Sequence, residues 1–193
     1  MLVLGIDPGT AIMGYGLVSS GASADSAKHG GEELRMVEYG ALYTPANTPL
    51  AERLPMLYDG LMDLLREYKP EAVAVEQLFF NKNVSTALTV GQARGIAILA
   101  AAHAGCAVAE YTPLQVKQAV VGYGRATKEQ VQSMVKILLN MDHIPRPDDA
   151  ADALAIAICH MHSAAYANLA DRDQGSGTRS KESSEAKPPP TES

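Results

Sequence analysis

Apolar and polar residues alternate between two periods along this chain. Leu2 to Asp7 is a short Leu/Val/Ile run closed by Asp7-Pro8-Gly9, which reads as a strand ended by a turn. Gly14 to Ser19 reads as a second strand, forming a hairpin with the first, and Leu34 to Tyr43 as a third. The Gly/Ser-rich stretch Gly21 to Glu33 between them reads as a loop. The period then changes. Leu50, Leu54, Leu57, Leu61, Leu64 and Leu65 recur at helical spacing, predicting a helix over Pro49–Tyr68 with Thr48 as its cap and Pro70 beyond its end.

Ala72 to Glu76 (AVAVE) reads as a fourth strand and Ala107 to Tyr111 as a fifth. Between them Val84 to Ala104 is a long apolar helix containing Gly91 and Gly95, which implies close packing against a neighbour. Helices follow at Leu114–Val120, at Thr127–Leu139 with a Thr127/Gln130 capping box, and at Asp149–Tyr166. The order predicts an α/β fold: a mixed five-stranded sheet flanked by helices, antiparallel at its start and joined by parallel crossovers later. Apolar periodicity fades near residue 169, so the expected organisation is one domain over 1–168 and a disordered polar tail over 169–193.

Charge changes the picture by its distribution. The 193 residues carry a net charge of -6, which taken whole argues against a nucleic-acid partner. Residues 82–136, however, hold six bases (Lys82, Arg94, Lys117, Arg125, Lys128, Lys136) against two acids. A basic middle between acidic ends can present one cationic face, or can be an ordinary solvated surface. Cys106 and Cys159 lie in apolar runs without metal-type spacing and read as buried thiols in a reducing compartment. The N-terminus has no cationic signal region, and the longest apolar stretch is too short to span a bilayer. A cytoplasmic protein without a membrane partner is expected.

Four carboxylates carry the candidate chemistry. Asp7 and Glu76 each close an apolar strand, where an open α/β sheet presents polar groups to a ligand. Asp149 and Asp152 stand three apart at the start of a helix and share one face. Taken singly, each has a bland reading: a solvated strand-end acid, or an N-cap at Asp148 or Asp149. Taken together they are hard oxygen donors of the type that suits Mg²⁺ or Mn²⁺, and two such ions support phosphodiester hydrolysis. Spacing alone does not bring the four together. His160 and His162 are two apart on a helix, so they diverge and are expected to be structural or surface residues.

The blocks GIDPGT, EQLFFNKNVSTALTVGQARGIAILAA, QVKQAVVGYGRATKEQVQSMV and DDAADALAIAICHMH together resemble the RuvC family of bacterial Holliday junction resolvases. The resemblance runs in order over residues 1–165. It implies an RNase H-like fold and a nuclease that resolves four-way junctions by symmetric paired nicks, leaving 5′-phosphate and 3′-hydroxyl ends. It places the catalytic, metal-holding acids on Asp7, Glu76, Asp149 and Asp152, with two Mg²⁺ per subunit. It places a base-stacking aromatic on Phe79 and DNA-contacting lysines on Lys117 and Lys128, to which Arg94 and Arg125 could add. Phe80 is then the better core candidate. The family acts as a homodimer, with Val84–Ala104 the candidate dimer surface here, and works with RuvA and RuvB. Gly21 to Glu33 and the long tail depart from the family pattern, and Asp148 is an extra acid beside the motif.

Two other functions fit parts of the pattern. GIDPGT resembles the first phosphate loop of actin-like ATPases, but the second half of the chain offers neither a second phosphate loop nor an adenosine-binding segment. A junction-binding module that does not cut would need no complete carboxylate set.

Overall fold

The computed structural model describes residues 1–21, 33–77 and 84–176. Five strands and five helices are seen among them: β1 (Leu2–Asp7), β2 (Ile12–Gly21), β3 (Glu33–Tyr43), α1 (Leu50–Tyr68), β4 (Ala72–Glu76), α2 (Val84–His103), β5 (Ala107–Tyr111), α3 (Pro113–Val121), α4 (Lys128–Leu138) and α5 (Asp148–Ser176). They form one sheet in the order β3-β2-β1-β4-β5. The β1–β2 and β2–β3 pairs are antiparallel, and β1–β4 and β4–β5 are parallel. The mixed sheet with an initial meander is therefore the one the periodicity predicts.

The period-two alternation of each strand divides the core into two layers. Leu4 and Ile6 of β1 and Val73 and Val75 of β4 face α1 and α2, where Leu57, Leu61, Ala93 and Ala97 are buried with them. Val3 of β1 and Ala72 and Ala74 of β4 face the opposite way, toward α3, α4 and α5. Both central strands are thus covered on both faces, which is why they read as continuous apolar runs.

The α5 side has one further requirement. A Cβ at Gly5 would collide with the Ala153 carbonyl oxygen, one at Gly14 with the Asp149 carbonyl oxygen, and one at Gly16 with the Leu154 side chain. Three glycines on β1 and β2 therefore form a bed that lets the backbone of α5 lie directly on the sheet. The small residues of α5 (Ala150, Ala151, Ala153, Ala157, all fully buried) are the other half of that contact.

Some boundaries differ from the sequence reading. β2 begins at Ile12 rather than Gly14, because its register with β3 continues to Ile12↔Tyr43. The N-cap of α1 is Pro49, not Thr48, and no side chain caps it. α3 opens on a Thr112/Gln115 capping box that the sequence reading missed, whereas the Thr127/Gln130 box of α4 is as predicted. α5 continues past Tyr166 to Ser176, so the start of the segment read as a tail is helical. A Cβ at Gly95 would meet open space, so no neighbour among the described residues requires that glycine. Cys159 is buried as expected, but Cys106 is only half-buried. The stretch 22–32 and residues 177–193 lie outside the described residues, and no described helix is long and apolar enough to cross a membrane.

Candidate active site

Strand parity sets the position of the first two acids. Asp7 is two residues beyond Gly5 on the α5 face of β1, and Glu76 two beyond Ala74 on the α5 face of β4. The parallel register pairs Ile6 with Val75, so the next step brings Asp7 and Glu76 side by side at the same sheet edge. The other two acids arrive through the glycine bed. Asp7 pairs with Gly14, and the first turn of α5 rests on Gly14 through the Asp149 backbone. Asp149 is therefore adjacent to Asp7, and Asp152 lies one turn further along the same helix face. The four predicted acids thus lie at the same end of the sheet, with Asp152, Glu76 and Asp149 all within electrostatic range of Asp7.

Their electrostatics follow from this proximity. The Asp7 carboxyl is pushed up to about 7, chiefly by burial and then by the negative charges of Asp152, Glu76 and Asp149, against a pull from Lys128. Glu76 is raised by burial and by Asp152, with Lys117 and Lys128 opposing. Asp152 is raised by burial even though Lys128 stabilises its charged form. The site thus holds more negative charge than its own cations compensate.

Lys128 is the local counter-ion. It is the first residue of α4, and its Nζ lies 2.8 Å from Asp152 and 3.7 Å from Asp148. Burial pulls its ammonium down. The hydrogen bond to Asp152 and the charges of Asp152, Asp148 and Asp7 outweigh burial and hold it above the ordinary lysine range. Asp148, the extra acid, also pairs with Arg146. Lys117 joins Glu76, Lys128 and Asp152 around a cleft of about 200 Å³ whose floor is Val116, Val131 and Ile156. As the side chains stand, no three described His, Cys, Asp or Glu residues close around a point where an ion could sit.

The other predicted residues divide. Arg125 is exposed on the loop between α3 and α4. Arg94 is not available as a free cation at this site: it pairs with Glu110, and both lie on the α2 side of the sheet, opposite the carboxylates. The pair could not be read from the sequence, because Arg94 and Glu110 are brought together only by the packing of α2 on β5. Phe79 and Phe80 lie outside the described residues. His160 bonds the Tyr111 hydroxyl at 2.9 Å and His162 the Ala119 carbonyl at 3.0 Å, so each ring serves a different element.

The family model for crossover junction endodeoxyribonuclease RuvC matches residues 3–160. The chain belongs to the RuvC family. That match spans all four acids together with Lys117 and Lys128. A RuvC relative from Desulfitobacterium hafniense is 57% identical over 175 residues, covering 91% of this chain and 99% of the relative. One from Rubrobacter xylanophilus is 58% identical over 162 residues, covering 84% and 86%. Among solved structures, Thermus thermophilus RuvC in complex with a Holliday junction substrate superimposes with a TM-score of 0.77 at 38% identity, covering 86% of this chain and 96% of that one. The yeast mitochondrial Holliday junction resolvase Ydc2 superimposes with a TM-score of 0.59 at 16% identity, covering 89% and 83%, a likeness of fold.

Proposed function

We propose that this protein is a crossover junction endodeoxyribonuclease that resolves Holliday junctions by symmetric paired nicking, using Asp7, Glu76, Asp149 and Asp152 to hold divalent cations. The single observation carrying the catalytic assignment is the gathering of four acids from three separated segments at one sheet edge, with Asp7 pushed up to about 7. A buried excess of negative charge is costly unless a cation meets it. The donors are all carboxylate oxygens, which fits Mg²⁺ and, by substitution, Mn²⁺. Two such cations, when bound, would make a water nucleophilic and neutralise charge at the scissile phosphate, leaving 5′-phosphate and 3′-hydroxyl ends.

The chain's own residues supply the rest. The Thr127/Gln130 capping box fixes the start of α4 and with it the backbone of Lys128, whose ammonium reaches Asp152 at 2.8 Å. There it can exchange its carboxylate partner for a phosphate oxygen of the bound strand. Lys117, at the rim of the same cleft, offers a second phosphate contact, and Arg125 on the neighbouring loop a third. Arg94 is omitted from this set because Glu110 already holds it. Phe79 stays in the proposal as a base-stacking residue on the strength of the family motif.

Two identical sites suit a junction whose opposing strands are of like polarity, so the working unit is a homodimer. The outer face of α2 supports this reading: Leu88 and Leu99 are 63% and 44% exposed, and Gly95 faces open space. RuvA and RuvB are the expected pathway partners, and the cytoplasm the expected compartment.

The test is cleavage of a synthetic mobile four-way junction in Mg²⁺. Wild type is expected to give paired symmetric nicks, and Asp7→Asn to bind the junction without cutting it. Asp7→Asn cutting as fast as wild type would remove Asp7 from the mechanism. Binding without any cleavage by wild type would favour a silent junction-binding module.

A further inference from the structure

The edge of the sheet carries an exposed aromatic that the catalytic reading leaves unused. β2 and β3 are in register through Gly14↔Ala41 and Ile12↔Tyr43. Gly14 faces α5. Leu42, of opposite parity, packs against Gly60 of α1 on the other side of the sheet. Tyr43 and Ile12 therefore project from the same face as the carboxylates, one pleat beyond the row Asp7–Gly14–Ala41. α5 begins at Asp148 over Gly14 and does not cover them. Tyr43 is 62% exposed and Ile12 36%.

The two positions are also fixed. The Thr44 hydroxyl donates to the Thr10 carbonyl at 2.7 Å, and the Thr44 N–H donates to the Ala11 carbonyl at 3.1 Å. These bonds clamp the turn after β1 to the end of β3, so the ring is mounted on a rigid strand end rather than on a loose loop.

Sheet spacing gives the distance to the chemistry. Two strand spacings across and two residues along place the Tyr43 backbone about 12 Å from that of Asp7. At 3.4 Å per nucleotide in duplex DNA, that is roughly three to four nucleotides from the scissile phosphate.

We propose that Tyr43, backed by Ile12, is a stacking platform for an unpaired nucleotide of the junction strand that runs from the carboxylate site across the β2–β3 edge. The proposal rests on the nuclease reading, and the occupant is the same DNA substrate, because the platform and the carboxylates share one continuous sheet face. Aromatic stacking on a base tolerates any sequence, so the platform adds affinity and fixes strand path without reading bases. It is separate from Phe79, which follows β4 in the chain.

The test measures junction binding by fluorescence anisotropy in EDTA, and single-turnover cleavage at saturating enzyme in Mg²⁺, for full-length Tyr43→Ala and Tyr43→Phe. Tyr166→Ala, an exposed tyrosine far along α5, is the control. Junctions carrying 2-aminopurine two to five nucleotides from the cut report stacking directly. Tyr43→Ala is expected to weaken binding roughly 5- to 10-fold, the low end of one stacked base, and to abolish quenching at one of those positions. Tyr43→Phe and Tyr166→Ala should bind within about 2-fold of wild type, and the saturated cleavage rate of Tyr166→Ala should match wild type. Unchanged affinity and quenching in Tyr43→Ala would overturn the platform. So would equal loss in Tyr43→Phe, which would assign the effect to the hydroxyl. Because binding in EDTA needs no cleavage, failure of the nuclease reading would appear separately, as a wild type that binds but never cuts.

Discussion

Replacing Asp7 by Asn should stabilise the protein while abolishing cleavage, and the size of the gain follows from the site. In the folded chain the Asp7 carboxyl titrates at about 7, against an ordinary 3.8. Below about pH 4 both folded and unfolded chains hold this proton, and Asp7 has no adverse effect on folding. Between about 4 and 7 the folded chain keeps a proton that the unfolded chain has released, so stability falls as pH rises through that window. Above about 7 the loss is complete. At about 1.4 kcal/mol per tenfold, the full penalty is about 4 kcal/mol. Carboxylates that swing apart relieve part of it, and taking half leaves about 2 kcal/mol. For a domain of this size that is roughly 4–8 °C in Tm. Thermal unfolding in EDTA at pH 8 should therefore show Asp7→Asn melting above wild type. The gap should close on acidification to pH 4. Added Mg²⁺ should raise the wild-type Tm and leave the variant nearly unmoved. Equal or lower Tm for Asp7→Asn in EDTA at pH 8 would show that Asp7 is not under electrostatic strain, and the case for a cation site would lose its physical basis.

Three other perturbations probe separate parts of the site. Lys128→Ala should lower single-turnover junction cleavage by about 10²-fold and also lower Tm in EDTA, since Asp152 loses its 2.8 Å partner; unchanged cleavage would make Lys128 a surface residue. Gly14→Ala should lift the first turn of α5 off the sheet, costing about 1–3 kcal/mol in urea unfolding and most of the cleavage activity, because Asp149 sits directly above it. Arg94→Ala should cost no more than about 1 kcal/mol of stability by leaving the exposed Glu110 unpaired, and keep junction affinity within about 2-fold. A large affinity loss there would return Arg94 to the DNA-binding surface.

Local signals made the sheet legible. The continuous apolar runs ended by Asp7 and Glu76 located β1 and β4, but which face each acid takes is set by the packing of α5 on the assembled sheet. The Thr127/Gln130 box located the N-cap of α4 because its information is within four positions. What the sequence could not show depends on packing between distant segments. That Gly5, Gly14 and Gly16 form one bed for α5 requires knowing that β1 and β2 lie under it. The capture of Arg94 by Glu110 depends on α2 crossing β5. Asp148 as partner of both Arg146 and Lys128 needed the α4–α5 arrangement, although its position beside Asp149 was a visible signal. Tyr43 read only as the last residue of a strand, since exposure at an edge is a property of the assembled sheet.

Manganese binding followed by electron paramagnetic resonance most directly addresses whether the two strand ends and the start of α5 make one cation site. Titrating Mn²⁺ into wild type, Asp7→Asn, Glu76→Gln, Asp149→Asn and Asp152→Asn should show saturable binding in wild type that is weakened about tenfold or more by each change. Mn²⁺ bound as tightly by any one of these variants as by wild type would take that carboxylate out of the site. Wild-type binding unaffected by all four changes would contradict the account as a whole.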